Sequence, residues 1–205
     1  MRDYLALARE PLAFTPVVLE GRHLRLEPLS LAHVPALEQA GADEGIWAWY
    51  PYPVGAPGMK GFVEAALDAQ QNKQALPFSY VDKGSGKLIG GSRFANIDYA
   101  NRRAEIGWTW LTPAFQRTAM NTEAKLLMLT HAFETLDLIR VEFKTDSLNA
   151  KSRAALARIG ATEEGTFRNH VITHSGRLRH SVYFSITDTD WPRVKQHLLD
   201  KLSSH

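Results

Sequence analysis

Apolar residues recur along this chain at two spacings, and the change from one to the other marks its elements. Residues 1–16 follow neither spacing and read as an N-terminal arm. His23-Leu24-Arg25-Leu26-Glu27 alternates and predicts a first strand. Ser30 is placed to cap a following helix of about ten residues that ends near Gly41. Residues 45–58 form a loop rich in glycine, proline and aromatics, and Phe62, Val63, Ala66 and Leu67 then return at helical spacing. The period changes to two at Phe78-Ser79-Tyr80-Val81, with a turn over 82–87 and a second strand over 88–97, which is a hairpin pattern. A third strand covers Arg103 to Leu111, where simple alternation puts Ala104, Ile106, Trp108 and Trp110 on one face and Glu105, Gly107 and Thr109 on the other.

The second half alternates strands with helices. A helix is predicted over 122–136 with Leu126, Leu129, Thr130 and Phe133 as its stripe. A strand follows over 140–145, then a helix over 149–159 with Gly160 just past its end. Strands over 162–168 and 179–186 precede a C-terminal helix over 188–205 with Trp191-Pro192 in its first turn. The order β-α-α-β-β-β-α-β-α-β-β-α predicts one α/β (α+β) domain over 1–205, a mixed sheet of about seven strands with helices on its faces.

Composition narrows the function classes. The 205 residues contain no cysteine, which excludes disulfides, thiolate metal sites and a cysteine nucleophile. The formal net charge of +2 is too small for a nucleic-acid binder, and no partner of that kind is expected. No apolar run is long enough to span a membrane, and charges interrupt residues 1–10, so a cytoplasmic protein is expected. Residues 1–101 hold 9 basic and 11 acidic side chains, and residues 102–205 hold 15 and 11, so an anionic ligand would favour the second half. No histidine spacing suggests zinc, and no metal is expected. His180 reads as a structural strand residue, while His170 and His174 read as lying in a connection, where they could line a pocket.

The segment Trp110-Leu111-Thr112-Pro113-Ala114-Phe115-Gln116-Arg117-Thr118-Ala119-Met120-Asn121-Thr122-Glu123-Ala124 joins a strand to a long helix. Its first-turn N–H groups lack intrahelical partners and sit at the positive end of the helix dipole. That suits a phosphate, with Thr118, Thr122 and Arg117 as added donors, although an ordinary connection capped by Asn121 or Thr118 has the same composition.

At this segment the chain resembles the GNAT superfamily of acyl-coenzyme A-dependent N-acetyltransferases, in the branch of ribosomal-protein N-terminal acetyltransferases (RimJ/RimL-like). The superfamily pattern Gln/Arg-x-x-Gly-x-Gly/Ala stands here as Gln116-Arg117-Thr118-Ala119-Met120-Asn121, so two residues depart from it. Leu19-Glu20-Gly21-Arg22, Arg103-Ala104-Glu105-Ile106-Gly107-Trp108, Asn149-Ala150-Lys151-Ser152-Arg153 and Ile159-Gly160-Ala161-Thr162-Glu163-Glu164-Gly165 support the likeness, which covers about residues 17–187.

The resemblance implies a mostly antiparallel GNAT sheet and acetyl-coenzyme A held by residues 116–122. Trp110, Leu111 and Thr112 would pair with its pantetheine arm, and Asn149 and Ser152 would contact it. It also implies Glu105 as the base for an attacking amine. Ser152 would be the proton donor to the leaving thiolate, because Leu156 stands where many members carry a tyrosine. An alternative for Glu105 is a surface pair with Arg102 or Arg103. The acceptor wall would come from Trp47, Trp49, Tyr50 and Tyr52, with Tyr80, Arg93 and His170 added. That aromatic loop serves equally as a contact in a homodimer. The function implied is acetyl transfer to a primary amine, of a protein N-terminus or a small molecule. The departures at Ala119 and Asn121 motivate a second reading, an acyl-coenzyme A-binding protein without catalysis, and the exposed aromatics a third, a structural dimer.

Overall fold

The alternating segments form one sheet, which the computed structural model describes over residues 3–7, 10–52, 54 and 58–203. Pro53, Gly55, Ala56 and Pro57 of the aromatic loop lie outside the described residues, as do Met1, Arg2, Ala8 and Arg9 of the arm and Ser204 and His205 of the C-terminal helix. The strands are β1 (Leu19–Glu20), β2 (Leu24–Pro28), β3 (Ala75–Asp82), β4 (Leu88–Asp98), β5 (Arg103–Leu111), β6 (Arg140–Asp146), β7 (Thr162–Ile172) and β8 (Leu178–Thr187). They run in the order β1-β2-β3-β4-β5-β6-β8-β7, antiparallel except for β5 and β6. The eighth strand is the two-residue β1, too short for alternation to show.

The helices are α1 (Tyr4–Leu7), α2 (Val34–Ala40), α3 (Gly58–Gln71), α4 (Ala119–Thr130), α5 (Ala150–Arg158) and α6 (Trp191–Ser203). On one face of the sheet the main core joins Leu24, Leu26, Phe78, Phe94 and Ile106 to Met128 and Leu129 of α4, Leu156 of α5 and Val194 and Leu198 of α6. On the other face α2 and α3 bury a smaller cluster of Leu37, Met59, Val63 and Trp110. Because α2 and α3 lie over the β3–β4 half, the β6–β8 half of that face stays polar.

Three predicted details change. Ser30 makes no side-chain cap, and a short 3-10 turn over Leu31–His33 precedes α2 instead. Of the predicted stripe Leu129 and Phe133 are buried, but Leu126 and Thr130 are only half-buried; Ala124 and Met128 of α4 join the buried face, and the helix ends in a π-type turn over His131–Thr135 that carries Ala132 and Phe133. The arm is docked: Phe14 packs edge-on to Phe94 at 5.6 Å, and the Arg102 guanidinium donates to the carbonyls of Leu7, Glu10, Leu136 and Asp137. That commitment removes Arg102 as a surface partner for Glu105.

The Glu123 carboxylate fixes α4 against the β1–β2 turn. It is buried and accepts from the backbone N–H groups of Arg22 (2.7 Å), His23 (2.9 Å) and Leu24 (2.7 Å). Three charge-assisted bonds offset much of the cost of burying a carboxylate.

Candidate active site

Three elements meet at the parting of β5 and β6. The parallel pair holds register only at Arg103↔Arg140, Ala104↔Val141 and Glu105↔Glu142, and beyond Glu105 the two strands separate. The cause lies in β5. Gly91 faces Trp110 but Arg93 faces Gly107, so β5 carries one extra residue there. Trp108 absorbs it in a left-handed conformation, φ 53°. A bulge of this kind bends a strand and re-aims its side chains. Simple alternation therefore fails after Gly107. Trp110 joins the α2–α3 cluster while Ile106 and Leu111 stay in the α4 core, so the single-face reading of Ala104, Ile106, Trp108 and Trp110 is corrected.

Glu105 stands at the parting and is 4% exposed. It is not a solvated strand glutamate. Its Oε2 accepts from Asn96 Nδ2 at 2.8 Å and lies 3.2 Å from Lys144 Nζ, while Arg103 is committed to Asp98 and Glu142. No hydrogen bond reaches Oε1 among the described residues, so this oxygen is open. It lies 2.9 Å from the point where a Cβ on residue 107 would sit, so Gly107 keeps its space clear. Asn96 and Lys144 carry no motif. Parity with Val141 and Phe143 puts Lys144 on the Glu105 face, but only the parallel register brings the two together.

The start of α4 opens beside the parting. Gln116 donates to the Leu111 carbonyl at 2.9 Å, and Lys151 of α5 reaches the Gln116 side-chain oxygen. Arg117 turns through φ 62°, and Thr118 caps α4 by accepting from the Met120 N–H while donating to the Phe115 carbonyl at 2.7 Å. The neighbouring first-turn N–H groups have no intrahelical acceptor. Within the motif only Arg117 has positive φ, so Ala119 and Asn121 stand where a side chain causes no backbone strain. Asn121 Oδ1 is buried there without a partner among the described residues. Thr122 is fully buried and accepts from Arg158, so it supports the helix from behind rather than adding a donor. Thr112 is tied to the Ala40 and Ile89 carbonyls. With exposed Arg117 and Lys151 at its mouth, the turn fits an anionic, phosphate-bearing group.

The start of α5 faces the same mouth through the Lys151–Gln116 contact. Asn149 caps α5, accepting from the Ser152 N–H at 3.0 Å. The Ser152 hydroxyl makes no hydrogen bond among the described residues and is partly exposed. Leu156 is core, and Gly160 ends the helix at φ 87°.

On the polar face, Trp47 packs on Trp110 at 5.0 Å and on Tyr50 at 5.1 Å. The Tyr50 hydroxyl is buried without a partner among the described residues, and burial pushes its pKa upward. Tyr52 meets the Trp108 ring nitrogen, and Arg93 lies 4.2 Å from the Trp108 ring centroid. The loop then crosses to the β7–β8 turn through the His174 N–H to Pro51 carbonyl bond of 2.9 Å and the approach of Arg177 to Trp49. Trp49 remains 40% exposed. His170 lies on β7, since that strand runs further than predicted, and meets Phe167 and Tyr183. Burial, with help from Lys144 and Arg179, lowers its pKa. His180 is satisfied by the Asn169 N–H. Tyr80 is corrected: it alternates with Ser79, lies fully buried in the α4 core with its hydroxyl on Met128 Sδ, and is no part of this wall.

Residues 23–162 match the family profile described as an acetyltransferase (GNAT) domain. The chain is 38% identical over 110 residues to YdaF of Bacillus subtilis (strain 168), named as a ribosomal N-acetyltransferase; the match spans 54% of this chain and 59% of that protein's length. A GCN5-related N-acetyltransferase from Brucella melitensis superposes with TM-score 0.84 at 32% identity, covering 92% of this chain and 86% of that one. RimJ of Mycobacterium smegmatis, solved in complex with CoA-disulfide, shares the fold at TM-score 0.78 and 21% identity, over 91% of this chain and 95% of its own.

Proposed function

The chain belongs to the GNAT acetyltransferase family, and on that premise we propose that it transfers an acetyl group from acetyl-coenzyme A directly to a primary amine. The acceptor is an α-amine; the naming of YdaF as a ribosomal N-acetyltransferase favours a ribosomal acceptor, and a protein N-terminus is the α-amine such an acceptor offers. The observation that carries this reading is the open Glu105 Oε1 at the parting of β5 and β6.

Bound at the α4 turn, acetyl-coenzyme A supplies an acyl carbon activated as a thioester. The rest of the work falls to the chain. Trp110, Leu111 and the first turn of α4 offer main-chain groups to the arm and phosphates, and Arg117 and Lys151 add charge. Glu105 takes a proton from the incoming amine at Oε1, while Asn96 and Lys144 hold Oε2 and keep the carboxylate aimed. An α-amine, with a reference pKa of about 7.7–8.0, is largely protonated at neutral pH and needs this help. Main-chain N–H groups at the Trp108 bulge face developing negative charge on oxygen. Ser152, whose hydroxyl is partly exposed, provides a proton to the departing sulfur and regains one from solvent. With no cysteine in the chain, transfer proceeds without a cysteine acyl-enzyme.

Acetyl-coenzyme A at about 100 times its dissociation constant should stabilise the fold by roughly 2.7 kcal/mol, a rise of about 5–10 °C in Tm for a chain of this size. A melting curve with and without the cofactor measures it. An unchanged Tm at millimolar acetyl-coenzyme A would remove the cofactor site and the activity with it.

A further inference from the structure

The polar face beside Glu105 carries more positive charge than its own carboxylates neutralise. Lys144 pairs with Glu105 and Arg177 with Asp146, while Arg103 and Arg140 are taken by Asp98, Glu142 and Glu164. That leaves Arg93 and Arg179, which are 8% and 7% exposed, with no carboxylate in ion-pair reach among the described residues. Arg93 pairs with Gly107, two residues from Glu105 on β5, and Arg179 stands two residues from Ser181, the register partner of Asp146; burial disfavours the charge of both, opposed at Arg179 by Asp146 and then Glu105, and at Arg93 also by Glu105. The faces of Trp108 at 4.2 Å and Phe62 at 5.4 Å compensate Arg93 in part. Among the described residues Arg179 has no ring partner, its Nε is buried without a hydrogen bond, and so is the hydroxyl of Ser181, two residues along the same face of β8. A buried cation and a buried donor left unpaired are costly unless a ligand completes them.

We propose that the amine brought to Glu105 carries a carboxylate close to its nitrogen, and that Arg179 with Ser181, and Arg93 opposite, receive that carboxylate. A guanidinium fork matches a carboxylate with two parallel hydrogen bonds, which a neutral amide cannot reproduce at full strength. The excess of positive charge also selects against polycationic amines, which would add repulsion to an already cationic face. The chemistry fits two sources, a protein N-terminus with an acidic residue in its first positions or a free amino acid.

This inference rests on the acetyl-transfer reading, and the experiment separates the two. Turnover of acetyl-coenzyme A is measured with matched acceptors: tripeptide amides differing only in Asp or Asn at the second residue, a free amino acid against its amide, and spermidine. The charged member of a pair should have a kcat/KM about tenfold higher or more, and the pair that shows it identifies the source. Arg179→Gln should erase most of that preference, and Arg179→Lys should restore part of it, with melting curves confirming that both variants fold. Equal turnover of both members of each pair, or preferred turnover of spermidine, overturns the acceptor inference and leaves acetyl transfer standing. If no acceptor is turned over, calorimetry of the same pairs on the coenzyme A-loaded protein decides it: tighter binding of the acidic members upholds the inference, and equal or undetectable binding overturns it.

Discussion

Glu105→Gln should lower acetyl transfer at pH 7 by roughly 10²-fold or more while acetyl-coenzyme A still raises the melting temperature as it does in the unaltered chain. The substitution keeps the size of the side chain and its place between Asn96 and Lys144. It removes the one property the reaction needs, an oxygen that can take the amine proton. Because the need arises from protonated amine, the deficit should narrow as pH rises above the acceptor's own pKa, near 7.7–8.0 for an α-amine. Steady-state rates across pH, with melting curves alongside, measure both effects. An unchanged rate at pH 7 takes Glu105 out of the reaction and leaves it as a partner of Lys144.

Lys125→Met should flatten the dependence of stability on pH. Lys125 is 4% exposed on the core side of α4 and has no carboxylate partner among the described residues. Burial pulls its pKa from 10.5 down to about 7. In the unfolded chain the amine stays protonated up to its ordinary pKa. Between pH 7 and 10.5, therefore, unfolding takes up a proton that the folded state lacks, and rising pH favours the folded state. The expected slope is about 1.4 kcal/mol per pH unit in that window, and it is absent in the methionine variant. Below pH 7 the folded state holds a buried ammonium, so the variant is the more stable protein there.

Lys125 also heads a chain of hydrogen bonds. Its Nζ donates to Thr109 Oγ1 at 2.8 Å, Thr109 lies 2.9 Å from Ser92 Oγ, and Ser92 donates to the Gly107 carbonyl at 3.0 Å. The chain ends on the residue before the Trp108 bulge, so the same variant should lose turnover while gaining stability at neutral pH. Urea midpoints from pH 6 to 10 measure the stability effect as a difference between the two proteins, in which other titrating groups cancel. Parallel profiles would contradict the assignment.

What alternation and helical spacing can encode was legible in the sequence. Strand β5 begins and ends where predicted, α5 is capped by Asn149 as its position demands, and Gly160 takes the left-handed conformation past its end. Of the two caps the sequence offers before α4, Thr118 is the one that forms. What the sequence could not carry is relation between strands. The extra residue at Trp108 reverses the faces of Trp108 and Trp110, and a bulge of this kind has no composition of its own when a tryptophan occupies it. The resemblance adds Tyr80 to the acceptor wall, yet its parity on β3 sends it to the opposite face. Asn96, Lys144, Arg179 and Ser181 surround the site but are ordinary polar strand residues until register assembles them.

The most direct measurement of the central claim is thiol release from acetyl-coenzyme A in the presence and absence of an α-amine acceptor, followed together with acetylation of that acceptor. The chain has no cysteine, so every thiol detected belongs to the cofactor. The account predicts one thiol for each amine acetylated and almost none without the acceptor. Binding of acetyl-coenzyme A with no acceptor-dependent thiol release, across acidic, neutral and basic α-amines, would contradict it and make this a protein that holds the cofactor without transferring its acyl group.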